Sequence, residues 1–350
     1  MPSLVSTRAL ALALPFALTL AACDSTGGGT SADASVYATA NPAGLDSDGV
    51  VRLSADLTAA PVTFGGILGV TSVQSLVLDD NGDGFLTADL AGTLGAILFV
   101  PNLCEETEGE CANVSTAVGA GTRVIAGAAT GLIAPKGIIN VENSLVVADN
   151  GGAGAIRVFA ETATGNVAPS FTVTNITGAT SVWDVAYDEG DDRLFVAGTN
   201  GVVLVYDDFF TDRGATGPDR TITPTDGTAQ ISVNLHGIAY DSDRDLLVLT
   251  DVGVASGGAS ATDGQLFTIA SASTATGATA VRYRIAGAAT TLGNPVDVAL
   301  TRDGDVYVAE KANSRVVRFN GVTTATGTVG TAPAASVAVV NAESVTIAND

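Results

Sequence analysis

The chain has one tryptophan, one histidine and two lysines, and three of these four residues share one position of an internal repeat. Trp183, His236 and Lys136 align with Gln74, Val296 and Glu343, so an array that closes on itself would bring them together. The next position adds Asp184 and Asp297, and loops on the same side add Asp89, Asp149, Asn150, Asn200, Asp251, Glu310 and Lys311. An aromatic surface to stack on, with a few polar groups to orient a guest, is the composition of a ligand site.

Other candidate chemistry is thinner. Asp79, Asn81 and Asp83 imitate the first half of a calcium loop, but position twelve is Leu90 where a bidentate carboxylate is needed. In the repeat alignment the same segment is a turn between two strands, matched by DEGDDR, DSDRD and TRDGD, and turns favour Asp, Asn and Gly anyway. A single histidine excludes a multi-histidine zinc site, and no G-x-S-x-G signature marks a serine nucleophile. Cys104 and Cys111 enclose CEETEGEC; outside the cytoplasm such a near pair forms a disulfide, worth ~2–3 kcal/mol for so short a loop.

These residues are positioned by a repeat of about 50 residues, with period-2 alternation inside each copy. The clearest copy, NPVDVALTRDGDVYVAEKANSRVVRF from Asn294, predicts strands over 296–300, 305–309 and 315–319, with Asp-Gly turning the first hairpin. A fourth strand, such as 281–286 or 123–126, precedes the next copy, so each unit is a four-stranded antiparallel blade. Residues 341–350 match a first strand with nothing following it. The missing pieces, ASVYATA at 34–40, GVVRLSA at 49–55 and a strand at 61–65, stand at the other end. Joining one C-terminal strand to three N-terminal ones predicts an all-β, six-bladed β-propeller with no open edge.

The copy PVDVALTRDGDVYVAEKANSRVVRF resembles the NHL repeat of six-bladed propellers, and weaker copies extend from about residue 35 onward. The resemblance implies a binding scaffold. It is also similar in fold to gluconolactonase and paraoxonase hydrolases, whose channel calcium implies a role here for Glu343, Asp184, Asp297, Asn234 and Asn341 as oxygen donors, and to a copper/zinc lyase. The function expected is thus a ligand- or protein-binding module acting through the channel mouth at Gln74, Lys136, Trp183, Asp184, His236, Asp297, Glu343, Asp149, Asn150 and Asp251, without catalytic residues; the alternative is a calcium-dependent hydrolase of lactones or related esters. No cofactor other than calcium is expected. The competing structural reading is that Trp183 and His236 plug the channel, and that Lys136 pairs with Glu343 across it.

The first 22 residues hold Arg8, an apolar stretch from Ala9 to Ala22 and the sequence Leu20-Ala21-Ala22-Cys23. The stretch is too short for a bilayer span, which needs ~20 residues, so it reads as a secretory signal. Its end resembles the lipobox of bacterial lipoproteins, which implies lipidation at Cys23. Residues 23–34 form a Gly/Ser-rich tether and 35–350 the propeller. The expected location is the exported side of a bacterial membrane, touched only through that lipid. Removal of the signal leaves 14 basic against 37 acidic residues, a net charge near −23. Such a field repels nucleic acid. The partners expected are a small molecule or an envelope protein, and the chain is expected to be a monomer.

Overall fold

Alternation along the inner strands drives the architecture: every second side chain faces a neighbouring sheet, so each sheet must be covered on both faces. The computed structural model describes residues 35–42, 49–64, 69–79, 81–91, 95–101, 103, 123–254 and 262–348, all inside the compact unit Ser31–Asp350. Cys23, Cys104 and Cys111, with the signal and tether, lie outside the described residues.

Six sheets are present, each of four antiparallel strands and two with a fifth, parallel strand at the rim. Blade 1 comprises Val70–Leu78, Gly84–Leu90, Gly95–Val100 and Arg123–Ala126. Blade 2 follows with Pro135–Val141, Ser144–Asp149, Ala155–Ala160 and Phe171–Val173, and blade 3 with Val182–Asp188, Arg193–Gly198, Val203–Tyr206 and Arg220–Thr225. Blade 4 is Leu235–Asp241, Leu246–Asp251, Gln265–Ala270 and Tyr283–Ala286; blade 5 is Pro295–Leu300, Val306–Glu310, Arg315–Phe319 and Ala335–Ala338. Blade 6 takes its inner strand, Val345–Ala348, from the C-terminal end and Ser35–Ala40, Gly49–Ser54 and Val62–Phe64 from the other. Ser35 pairs with Ala348 and Ala38 with Val345, which is the predicted closure. Strand bounds shift by a residue or two from the sequence reading; the fourth strand of blade 4 begins at Tyr283 instead of 281.

Apolar clusters fill the wedges between successive sheets, as between blades 1 and 2, where Phe85, Ile97, Leu132, Leu145 and Phe159 are all buried. In blade 5 the predicted Asp-Gly turn is present. Gly304 has φ +89, and a Cβ there would lie 2.0 Å from Thr323 Oγ1, so only glycine fits.

A second repeat fastens the outside. Ala-Thr-Gly stands at 215–217 and also at 163–165, 275–277 and 325–327, each in the connection between the third and fourth strands of a blade, and in the last three the glycine reaches the blade before. Each of these three sits on the outer strand of the preceding blade: Gly165 N donates to Val124 O (2.7 Å), Gly327 N to Arg282 O (2.9 Å), and Gly277–Ala280 runs parallel to Arg220–Thr225. These connections cover outer-strand edges that would otherwise pair with another chain.

Candidate functional site

Five of the six ring positions are created by β-bulges, while Glu343 precedes the inner strand of blade 6. Pairing of the two innermost strands skips Gln74 in blade 1, Lys136 and Gly137 in blade 2, Trp183 in blade 3, His236 and Gly237 in blade 4 and Val296 in blade 5. A residue left out of the ladder is turned away from the sheet, which re-aims its side chain. Threonines of second strands satisfy backbone groups around the ring. Thr250 Oγ1 accepts from Gly237 N (2.8 Å), Thr39 Oγ1 accepts from Glu343 N and Ser344 N (3.1 and 3.0 Å), and Thr87 Oγ1 donates to Lys136 O (2.5 Å).

The ring is brought together as predicted. The indole of Trp183 stacks on the imidazole of His236 with centroids 3.5 Å apart and planes 7° from parallel, and Lys136 Nζ lies 4.9 Å from the indole centroid. Lys136 Nζ donates to Gln74 Oε1 (2.5 Å), and Gln74 Nε2 donates to Asp89 Oδ2 (3.0 Å). The expected Lys136–Glu343 pair is not formed. Glu343 is paired with Lys311 of the neighbouring blade, because reaching an adjacent blade is shorter than crossing the channel. The void left among Gln74, Lys136, Trp183, Val296 and Glu343 is ≈ 10 Å³, room for about one water.

Burial sets the charges of the ring. It lowers the Lys136 pKa, with Lys311 acting the same way and Glu343 and Asp89 opposing. The same desolvation, with the two lysines, pushes His236 down to about 3, so its imidazole is neutral at ordinary pH. His236 Nδ1 is buried without a hydrogen-bond partner among the described residues.

Four of the five large exposed hydrophobics among the described residues stand around this mouth. Ile133, Val233 and Val340 each precede the ring position by three residues, in blades 2, 4 and 6, and are 43%, 48% and 49% exposed; Val254 follows the second strand of blade 4. Sequence reasoning missed this rim, although the shared spacing was readable.

Asp184 and Asp297 lie one residue beyond the ring and form the layer beneath it. Asp184 accepts from Val185 N (2.8 Å) and, on blade 4, Ile238 N (3.1 Å); Asp297 accepts from Val298 N (2.7 Å) and, on blade 6, Val345 N (3.0 Å). The two carboxyls are near enough to influence each other electrostatically. Burial and the charge of Asp297 hold Asp184 well above the usual carboxylate range, and burial raises Asp297 to about 6 against the hydrogen bonds of Ser344, Val345 and Val298. Like carboxyls near each other share a proton because both cannot ionise cheaply.

The remaining predicted residues stand apart from the ring. Asp149 and Asp251 are fully buried and bind the backbone of loops entering the inner strands: Asp149 Oδ1 accepts from Ala134 N (2.7 Å) and Asp251 Oδ1 from Asn234 N (2.8 Å). Asn150 Nδ2 donates to Val182 O of the next blade (2.9 Å). Asp79 Oδ1 accepts from Asn81 N and Asp83 N (2.9 and 2.8 Å), which makes the segment a turn. Among the described residues no group of three or more His, Cys, Asp or Glu side chains converges as a metal site.

Comparison with known proteins places one blade directly. Residues 292–319 match the NHL repeat family. The chain carries an NHL repeat. It spans the first three strands of blade 5, including Val296 of the ring and Asp297 beneath it. No curated protein matches the chain in sequence. Among solved structures, a nidogen/laminin complex chain is 13% identical, covers 90% of this chain and 98% of its own, and superposes with a TM-score of 0.58. Two putative 6-phosphogluconolactonases, from Bacteroides fragilis and Bacteroides uniformis, are 10% and 11% identical, each covers 90% of this chain, with 98% and 99% of their own length, and have TM-scores of 0.54 and 0.56. At these identities the likeness concerns the fold, as expected where many functions share one architecture.

Proposed function

We propose that this propeller is an exported, lipid-anchored binding module that takes a small ligand or an envelope protein at the mouth formed by Trp183, His236, Lys136, Gln74, Glu343 and Lys311. The observation that carries the reading is concentration: the sole tryptophan, the sole histidine and both lysines of a strongly acidic chain meet at one channel end, ringed by Ile133, Val233, Val254 and Val340. Aromatic and aliphatic surface around a few polar groups is the make-up of recognition surfaces. The NHL repeat, a type of protein-binding module, supports it, and the apolar leader ending at Cys23 supports export.

Trp183 is its own reporter. Occupation of the mouth is expected to change tryptophan fluorescence, and Lys136→Met is expected to weaken that response at least tenfold. If candidate ligands and envelope fractions leave the fluorescence unchanged, and Trp183→Ala leaves every interaction of the protein intact, the role is structural. The lactone-hydrolase alternative draws on its likeness to the two putative phosphogluconolactonases. Metal analysis of the purified protein, with a lactone turnover assay, separates the two readings.

A further inference from the structure

Below Asp184 and Asp297 the channel widens into a second cavity of ≈ 290 Å³, toward the face that carries the turns between first and second strands. Its wall carries the aliphatic side chains of Val77, Ile139, Ala239, Ala299, Leu300 and Ile347, all half-exposed so that solvent reaches it, beside the hydroxyl-bearing Ser75, Tyr240 and Thr346. The two aspartates are the only carboxylates lining it, and no lysine or arginine lines it. Their oxygens accept backbone N–H groups from four blades, which fixes them in place. A lumen with aliphatic side chains along its wall and immobilised carboxyls at one end is the form of a small-molecule pocket, and its size lies at the small end of that range.

We propose that this cavity binds a small amine with an aliphatic body, its ammonium seated against Asp184 and Asp297 and its hydrocarbon against the lumen wall. The pair is acidic, buried and without a cationic side chain in the cavity. An ammonium supplies the missing charge and hydrogen-bond donors, whereas a carboxylate head is repelled. An alcohol of equal length gains the wall but not the charge. The site is at the opposite end of the channel from the mouth proposed above and does not depend on it.

The test is calorimetric titration of the full chain with n-hexylamine at pH 7, beside 1-hexanol and hexanoate. The amine is expected to bind at least tenfold more tightly than the alcohol, with no detectable hexanoate binding. Ala299→Leu and Thr346→Leu, which fill the lumen from adjacent blades, are expected to abolish amine binding while circular dichroism is retained. Asp297→Asn is expected to lower amine affinity at least tenfold. Absence of amine binding, equal binding of alcohol and amine, or amine binding that survives both leucine substitutions overturns the proposal.

Discussion

The two ends of one channel are built from the same six inner strands yet differ in chemistry. At the upper end the ring is tryptophan, histidine, lysine, glutamine and glutamate, packed until about one water fits. Three residues further along the same strands stand Val77, Ile139, Ala186, Ala239, Ala299 and Thr346, and the channel is wide. In blades 1 to 4 the difference originates in the bulges. A bulged residue leaves the ladder and is free to be large and polar, whereas residues in regular pairing must alternate and remain small where six strands converge. The layer between them, Asp184 and Asp297, belongs to both ends, and its room comes from Gly137 and Gly237 on the blades that precede them.

That room is where the contrast breaks most readily. A Cβ at position 137 would lie 1.8 Å from Asp184 Oδ1 and 2.7 Å from its Cα, so Gly137→Ala is expected to cost about 3 kcal/mol or more, read from denaturant unfolding. Next in size is the upper ring. Trp183→Ala removes the stack on His236 and the contact with Lys136, and is expected to cost about 2 kcal/mol by the same measurement.

The two layers are further expected to respond to pH with opposite signs. His236 has its pKa lowered from 6.5 to about 3, so the unfolded chain binds the proton first; its contribution is present above 6.5 and lost as pH falls toward 3. Asp297 is raised from 3.8 to about 6, so the folded chain holds the proton more tightly. Its contribution is present below 3.8 and lost as pH rises through 6. Stability curves from pH 3.5 to 7 are expected to rise less steeply with pH for His236→Gln than for the natural chain, and more steeply for Asp297→Asn. Slopes that change in the same direction contradict the assignment. The smallest effect belongs to the open end: Ala299→Val adds methyls beside empty space and is expected to change stability by less than about 1 kcal/mol.

Much of this was legible in the sequence. The alignment that put NAESVTIAND after the fifth copy and ASVYATA before the first predicted which strands meet, since a radial array must close. It also placed Trp183, His236 and Lys136 at one level. What it missed depends on three dimensions. Bulges add one residue without altering the hydrophobic pattern enough to be seen, so the partner of Lys136 was misjudged and the separate character of the aspartate layer was not visible. Asp149 and Asp251 look like site residues in sequence because acids at loop boundaries are typical of both sites and backbone caps; only their amide partners distinguish the two. The Ala-Thr-Gly clasps were readable as a repeat, but their role lies between blades that are distant in sequence.

Asp297 also holds Val345 N, the first paired residue of the short strand that completes blade 6. The fastening of the circle and the end wall of the lumen are therefore one object. A guest that settles against that carboxyl would stiffen the seam where the two termini meet, and a protease trimming the C-terminal strand would report occupancy by slowing down.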